Sequence, residues 1–173
     1  RKNIIINEKF FIAASHQSMF ETFYLQTIFN SPVFILKREL LKIPVFGWYL
    51  KKIGSISIKR NKVTKDNLSF FEDIKKIANN SNRPLIIFPQ GTRVKAEERP
   101  PFKKGITRIY EELKISCLPI AINSGHVWPK NGLKKSNKKI IISILPSLDY
   151  GLNKYEFISN LEKKINSELD RIN

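Results

Sequence analysis

Phe10-Phe11-Ile12-Ala13-Ala14-Ser15-His16-Gln17-Ser18-Met19-Phe20-Glu21 changes character half-way along. Phe10 to Ser15 is an apolar run of the length expected for a buried strand. His16 and Gln17 form a polar junction. Ser18 then opens a helix that extends to about Asn30 and stops near Ser31-Pro32. An apolar strand that turns directly into a helix is the opening unit of an α/β layer.

The same alternation continues outward from this stretch. Val33 to Lys37 reads as a second apolar strand. Glu39 to Lys52 is helix-like but interrupted by Pro44 and Gly47. Ile56 to Lys59 is a short strand. Thr64 to Asn79 has helical spacing through Leu68, Phe71, Ile74 and Ile77 or Ala78. Pro84 to Phe88 is a compact strand and Ile106 to Leu113 a short helix. Leu118 to Asn123 and Lys139 to Leu145 are Ile-rich strands. A final amphipathic helix, Tyr155 to Ile172, repeats Ile158, Leu161, Ile165, Leu169 and Ile172. The fold class is α/β: one layered domain with a mostly parallel or mixed β-sheet flanked by helices. In such sheets function gathers in the loops at strand ends. His16 and the segment from Gln90 to Arg93 both follow strands. The charged loop Val94 to Lys104, with Pro100-Pro101, reads as a mobile segment.

A chain of 173 residues, 42% hydrophobic and 27% charged, can bury a full core. Its formal charge of +16 points to an anionic partner, such as nucleic acid, an acidic membrane surface or an acidic carrier protein. A composition biased towards Lys, Asn and Ile is the other source such a charge can have. The single cysteine, Cys117, excludes an internal disulfide and lies in an apolar run, as a small buried residue does. With only His16 and His126 as imidazoles, a zinc site is not expected. No apolar run reaches the roughly 20 residues that span a bilayer, and no signal peptide is visible.

Two segments carry chemistry. His16 is a base at a strand-to-helix junction, and Glu21 lies close enough to hold its second ring nitrogen if the chain turns between them. Ser18-Met19-Phe20-Glu21 is equally a capping box, in which Glu21 reaches back to the helix start and Ser18 caps it. Phe88-Pro89-Gln90-Gly91-Thr92-Arg93 supplies a glycine turn, a hydroxyl and a guanidinium suited to phosphate oxygens. Its plain alternative is a strand-exit turn with a solvated arginine. Lys59 and Arg60 end a short strand, where Arg60 could complete a phosphate clamp with Arg93. Lys103 precedes a helix start, where anions also bind. His126 reads as a loop residue at the edge of a pocket.

Four blocks occur in order: His16 to Glu21, Gly54 to Arg60, Phe88 to Arg93, and Leu118-Pro119-Ile120 leading to Gly125. Together they resemble the glycerophospholipid acyltransferase family, particularly its bacterial 1-acyl-sn-glycerol-3-phosphate acyltransferases, over nearly the whole chain. Two positions depart from the family pattern. Glu21 stands where the family usually has Asp, and Gln90 where it usually has Glu. Gln90 cannot act as an ionised acid and is expected to hold its turn by hydrogen bonds.

The resemblance implies a glycerol-phosphate acyltransferase-like fold and transfer of an acyl group from a thioester to the sn-2 hydroxyl of lysophosphatidic acid, giving phosphatidic acid. His16 would be the general base and Glu21 its orienting partner. Gly91, Thr92, Arg93 and Arg60 would bind the substrate phosphate, with Gln90, Lys103 and Lys59 in support. No metal or organic cofactor is implied; acyl-CoA or acyl carrier protein is the co-substrate. An anionic membrane surface is the expected partner and nucleic acid is not. The expected site of action is the cytoplasmic face of the inner membrane, with peripheral or monotopic attachment. Residues 1–173 would form the acyltransferase domain, without an N-terminal membrane-seating segment. The apolar stretch Pro44 to Leu50, with Phe46, Trp48 and Tyr49, either touches that membrane or packs in the core. A related acyltransferase for another lysolipid or an amino-acid lipid is the alternative function. A nucleic-acid-binding domain is a distant one, since no recognition helix, zinc-finger spacing or RNA-binding signature is present.

Overall fold

Alternate residues of the first strand point to opposite sides, and both sides are buried. Phe11 and Ala13 join one apolar cluster, Ile12 and Ala14 the other. That burial requires helices on both faces of the sheet. The computed structural model describes residues 9–29, 31–58, 65–130, 132 and 137–173. Its elements are β1 (Phe10–Ala14), α1 (Phe20–Ile28), β2 (Val33–Lys37), α2 (Phe46–Lys52), β3 (Ile56–Ile58), α3 (Lys65–Asn80), β4 (Leu85–Ile87), α4 (Gly105–Leu113), β5 (Ser116–Ile122), β6 (Ile142–Ile144) and α5 (Lys154–Ile172).

The six strands form one sheet in the order β3-β2-β4-β1-β5-β6. All neighbours are parallel except β5 and β6. The expected mixed, mostly parallel sheet is therefore present. Leu25 and Phe29, at the end of α1, pack on Ile12, Phe34, Ile86 and Ile120 on one face. On the other, Phe70 and Ile74 of α3, Ile106 and Tyr110 of α4, and Phe157, Leu161 and Ile165 of α5 cover Phe11, Val33 and Leu85. Helix α5 starts in a capping box. Asn153 Oδ1 accepts the Tyr155 and Glu156 N–H groups, each at 3.0 Å, and the Asn153 N–H donates back to Glu156 at 3.3 Å. Cys117 is fully buried in β5, and its burial pushes the thiol well above its usual range.

The interrupted helix at Glu39 to Lys52 becomes a 3₁₀ turn, Arg38–Lys42, followed by α2. Pro44 lies in the break, as expected. Gly47 does not break the helix, because it sits inside α2 at the point of closest approach to the turn. A Cβ there would lie 2.3 Å from the Leu41 carbonyl oxygen. Here the glycine is needed for packing.

The sheet order fixes where a site can form. From β1 the chain moves one way to β2, and from β4 it moves the other way, past β1, to β5. Strands β1 and β4 are neighbours, so their connections diverge and open a crevice at their carboxyl ends. His16 follows β1 and Gln90 to Arg93 follow β4.

Candidate active site

The chain turns sharply after β1, and backbone bonds hold the turn. The Ser15 N–H donates to the Ile120 carbonyl at 2.9 Å. The His16 carbonyl accepts the Val94 N–H at 2.9 Å, joining the turn to the loop after β4. The Gln17 side chain is buried, and its Oε1 accepts the Gly125 N–H at 2.9 Å.

Glu21 serves both of the roles open to it. Its carboxylate is fully buried and its Oε2 lies 3.3 Å from His16 Nδ1. It also accepts the Gln17 N–H at 3.1 Å and the Ser18 N–H at 3.0 Å, as a carboxylate at a helix start does. The Ser124 hydroxyl donates to its Oε1. Ser18 Oγ accepts the Phe20 N–H at 3.0 Å, which supports its reading as a cap. Glu21 therefore ties the cap, the imidazole and the residue beyond β5 together. An acceptor-only carboxylate facing Nδ1 places the neutral ring's proton there and leaves Nε2 with its lone pair.

The His16 ring stacks on Phe88, with centroids 3.9 Å apart and planes 13° from parallel. Both line a cavity of about 340 Å³, together with Gly91, Thr92 and Arg93. Gly91 adopts φ of +74°, a conformation that disfavours a side chain, and its N–H closes a turn onto the Phe88 carbonyl at 2.9 Å. Arg93 is half-buried and makes no ion pair among the described residues. A partly desolvated guanidinium in that position calls for an anion. The rest of the cavity is largely apolar and includes Leu36, Phe46 and Leu50.

Not every expected residue converges here. Lys103 does not line this cavity but a second one of about 680 Å³, which shares Lys37, Phe88 and Gly91 with the first, and its backbone N–H donates to the Pro89 carbonyl at 2.8 Å. Gln90 is buried, but its side-chain carbonyl has no hydrogen-bond partner among the described residues. It does not hold the turn through that atom, because no donor of the surrounding loop reaches it. Lys59 and Arg60 lie outside the described residues. His126 sits in a 3₁₀ turn, Ser124–His126, with Nδ1 3.9 Å from Glu97 Oε1, and it does not line the His16 cavity. The loop from Val94 to Lys104 is anchored by Arg99 on Asp170 at 2.9 Å and by the Phe102 N–H on Glu162.

Two residues escaped the sequence reading. Lys37 ends β2 next to β4, is half-buried and lines both cavities. Its signal was a lysine at the carboxyl end of an apolar strand, the same signal that marked Lys59. Ser124 is fully buried against Glu21, and nothing in its own segment links it to a residue 103 positions earlier. Among the described residues no group of three or more His, Cys, Asp or Glu could hold a metal ion.

A family model described as Acyltransferase matches residues 1–123. The chain belongs to the acyltransferase family. Curated relatives extend the match. The chain is 35% identical over 143 residues to the 1-acyl-sn-glycerol-3-phosphate acyltransferase of Pseudomonas aeruginosa, covering 79% of this chain and 53% of the relative. It is 31% identical to the enzyme of the same name from Helicobacter pylori, covering 91% of this chain and 67% of the relative. The chain thus spans about half to two thirds of the length of these relatives. The crystal structure of the 1-acyl-sn-glycerophosphate (LPA) acyltransferase from Thermotoga maritima superposes with a TM-score of 0.77. That match covers 98% of this chain and 68% of the other at 24% identity, and bears on the acyltransferase fold.

Proposed function

We propose that this protein transfers a fatty acyl group from an acyl thioester to the sn-2 hydroxyl of 1-acyl-glycerol-3-phosphate, forming phosphatidic acid. The observation that carries the reading is the shared cavity: a carboxylate-held imidazole and an arginine with no ion pair among the described residues face the same space. The names of the relatives from Pseudomonas aeruginosa and Helicobacter pylori favour this acceptor and product.

The acceptor's phosphate sits on Arg93 and the Gly91-Thr92 turn, with Lys37 adding charge and Arg60 completing the clamp as the resemblance implies. Its free hydroxyl then lies by His16 Nε2. The imidazole takes the hydroxyl proton while the oxygen attacks the thioester carbonyl. Glu21 holds the ring and offsets the positive charge that develops on it. When the tetrahedral adduct collapses, the carbon–sulfur bond breaks, the ester bond remains, and the leaving thiolate takes the proton from His16. The scheme needs no metal or organic cofactor and no acyl-enzyme.

The donor is acyl-CoA or acyl carrier protein, both anionic and suited to a chain of charge +16. The site of work is an anionic membrane surface, the cytoplasmic face of the inner membrane, with peripheral or monotopic attachment. Nucleic acid is not a partner in this reading.

The test is phosphatidic acid formation in mixed micelles from lysophosphatidic acid and each thioester, beside His16→Ala. Product formation that the substitution abolishes upholds the reaction and the base together. Turnover of a different lysolipid, with none of lysophosphatidic acid, overturns the choice of acceptor.

A further inference from the structure

On the reading above, the acyl chains come from a bilayer, yet no helix among the described residues is long and apolar enough to cross one. The route from lipid to His16 is marked by the segment between β2 and β3. Ile43 and Phe46 line the His16 cavity. On the same short stretch Val45 is 81% exposed and Trp48 65% exposed. Phe23 of α1 extends the apolar surface, with its ring 6.2 Å from Phe46 and 5.5 Å from Tyr49. The cavity wall and the exposed patch are thus continuous.

Val45 is held there at a conformational cost. Its φ of 61° and ψ of −56°, with the Phe46 N–H on the Pro44 carbonyl at 2.6 Å, form the rare, strained type of γ-turn. A β-branched residue with positive φ is an outlier, and strain of this kind collects where a surface has work to do. Packing does not explain it, because the side chain is exposed.

Cations surround the tip. Residues 37–52 carry five Lys or Arg against the single acid Glu39. Lys42, Lys51 and Lys52 are exposed, and Lys52 Nζ lies 4.9 Å from the centre of the Trp48 ring. An apolar tip with an indole, ringed by lysines, matches the chemistry of an anionic leaflet: hydrocarbon below, an aromatic level at the interface, negative headgroups around it.

We infer that the tip formed by Val45 and Trp48 inserts into an anionic bilayer, and that the His16 cavity opens to the bilayer between Ile43 and Phe46. An acyl chain then passes from lipid to cavity without crossing water. The inference depends on the proposed reaction only for the identity of that chain.

Vesicle co-sedimentation tests it without relying on turnover. Vesicles of phosphatidylcholine with and without phosphatidylglycerol serve as the probe, for the parent chain, Trp48→Glu and Val45→Gly. The parent should bind only the anionic vesicles. Binding should fall about tenfold or more in Trp48→Glu, and less in Val45→Gly. Both variants should melt no lower than the parent by more than a few degrees. In a Trp128→Phe background, Trp48 emission should shift to the blue on binding and be quenched by lipid brominated on its chains. Unchanged binding by Trp48→Glu, or unquenched emission, overturns the docking face. Lipid-free self-association that Trp48→Glu abolishes overturns it in favour of a second copy of the chain. Trp48-dependent binding by a protein that turns over no lysolipid upholds the face and counts against the reaction alone.

Discussion

The Val94 N–H donates to the His16 carbonyl at 2.9 Å, so the loop carrying Arg93 is hung directly on the turn carrying the imidazole. The bond ties together the two segments that place His16 and Arg93 on one cavity, and on the proposed reaction that joint placement is what would let a bound phosphate position a hydroxyl.

The first prediction concerns the base. His16→Ala should lower turnover by about 10²–10⁴-fold, the usual contribution of a positioned general base. His16→Gln should do the same, since it keeps bulk but cannot take up the proton. Acyl transfer rates and a melting curve on each variant check this, and the fold should survive both changes.

Glu21 should behave differently, because it is both cap and dyad partner. Glu21→Ala leaves the buried Gln17 and Ser18 N–H groups without an acceptor. Each stranded donor costs about 1–3 kcal/mol, so the loss of stability should be large as well as the loss of activity. Ser124→Ala removes only a donor to the carboxylate. It should lower kcat while leaving the acceptor KM unchanged, and urea titration should show about 1 kcal/mol of destabilisation.

Arg93→Ala should raise the acceptor KM by about 10–100-fold, the equivalent of the roughly 1.5–3 kcal/mol carried by hydrogen bonds to a charged group. Arg93→Lys should recover part of it, because a point charge remains but the two-pronged geometry does not. Lys37→Ala should shift the same constant in the same direction. Steady-state kinetics with a phosphate-free acceptor supplies the control, for which the Arg93 and parent enzymes should differ little.

Gly47→Ala tests the packing of α2. Its new Cβ would meet the Leu41 carbonyl oxygen at 2.3 Å, so α2 must move away from the 3₁₀ turn. Overpacking of this kind costs about 1–3 kcal/mol. Phe46 and Leu50 of the same helix line the cavity, so preference among acyl-chain lengths should change along with the melting temperature.

Acid should weaken the outer edge of the fold through Glu168. Two hydrogen bonds from Arg171, at 2.6 and 2.8 Å, hold its carboxyl down at about 2 from an ordinary 4.5. A carboxyl with a lowered folded-state value binds its proton more readily in the unfolded chain. Its contribution is whole above about pH 4.5 and fades as the pH falls towards 2. Glu168→Gln should flatten that part of the stability profile, by a small amount because Arg171 is mostly exposed. Urea midpoints between pH 2 and 5 provide the measurement.

Within one strand or one turn, the sequence was a reliable guide. The apolar run Phe10 to Ser15 read as a buried strand and is one over Phe10–Ala14, and the helix read from Ser18 begins two residues later, at Phe20. Glu21 lies five residues from His16, so a single turn suffices to bring them together, and it makes the contacts that both readings of it require. The alternation of strands and helices, and hence the layered sheet, followed from the same local patterns. Gly47 misled because an apolar helix and a broken helix look alike until the neighbouring chain is in place. Gln90 misled because a buried amide reveals nothing of its partners from sequence.

What the sequence alone determined was local: element type and the strand-end position of His16 and Arg93, with Glu21 within reach of His16 as either partner or cap. Tertiary structure decided the rest. The order β3-β2-β4-β1-β5-β6 made β4 a neighbour of β1 and placed Arg93 across a cavity from His16. It brought Ser124 onto Glu21 and set Lys37 at the cavity edge. It also separated aromatic residues of similar hydrophobicity, stacking Phe88 on the imidazole and leaving Trp48 exposed. Hydrophobic periodicity records which side of its own element a residue faces. Which elements then pack together depends on the direction of each crossover, and that information resides in no single segment.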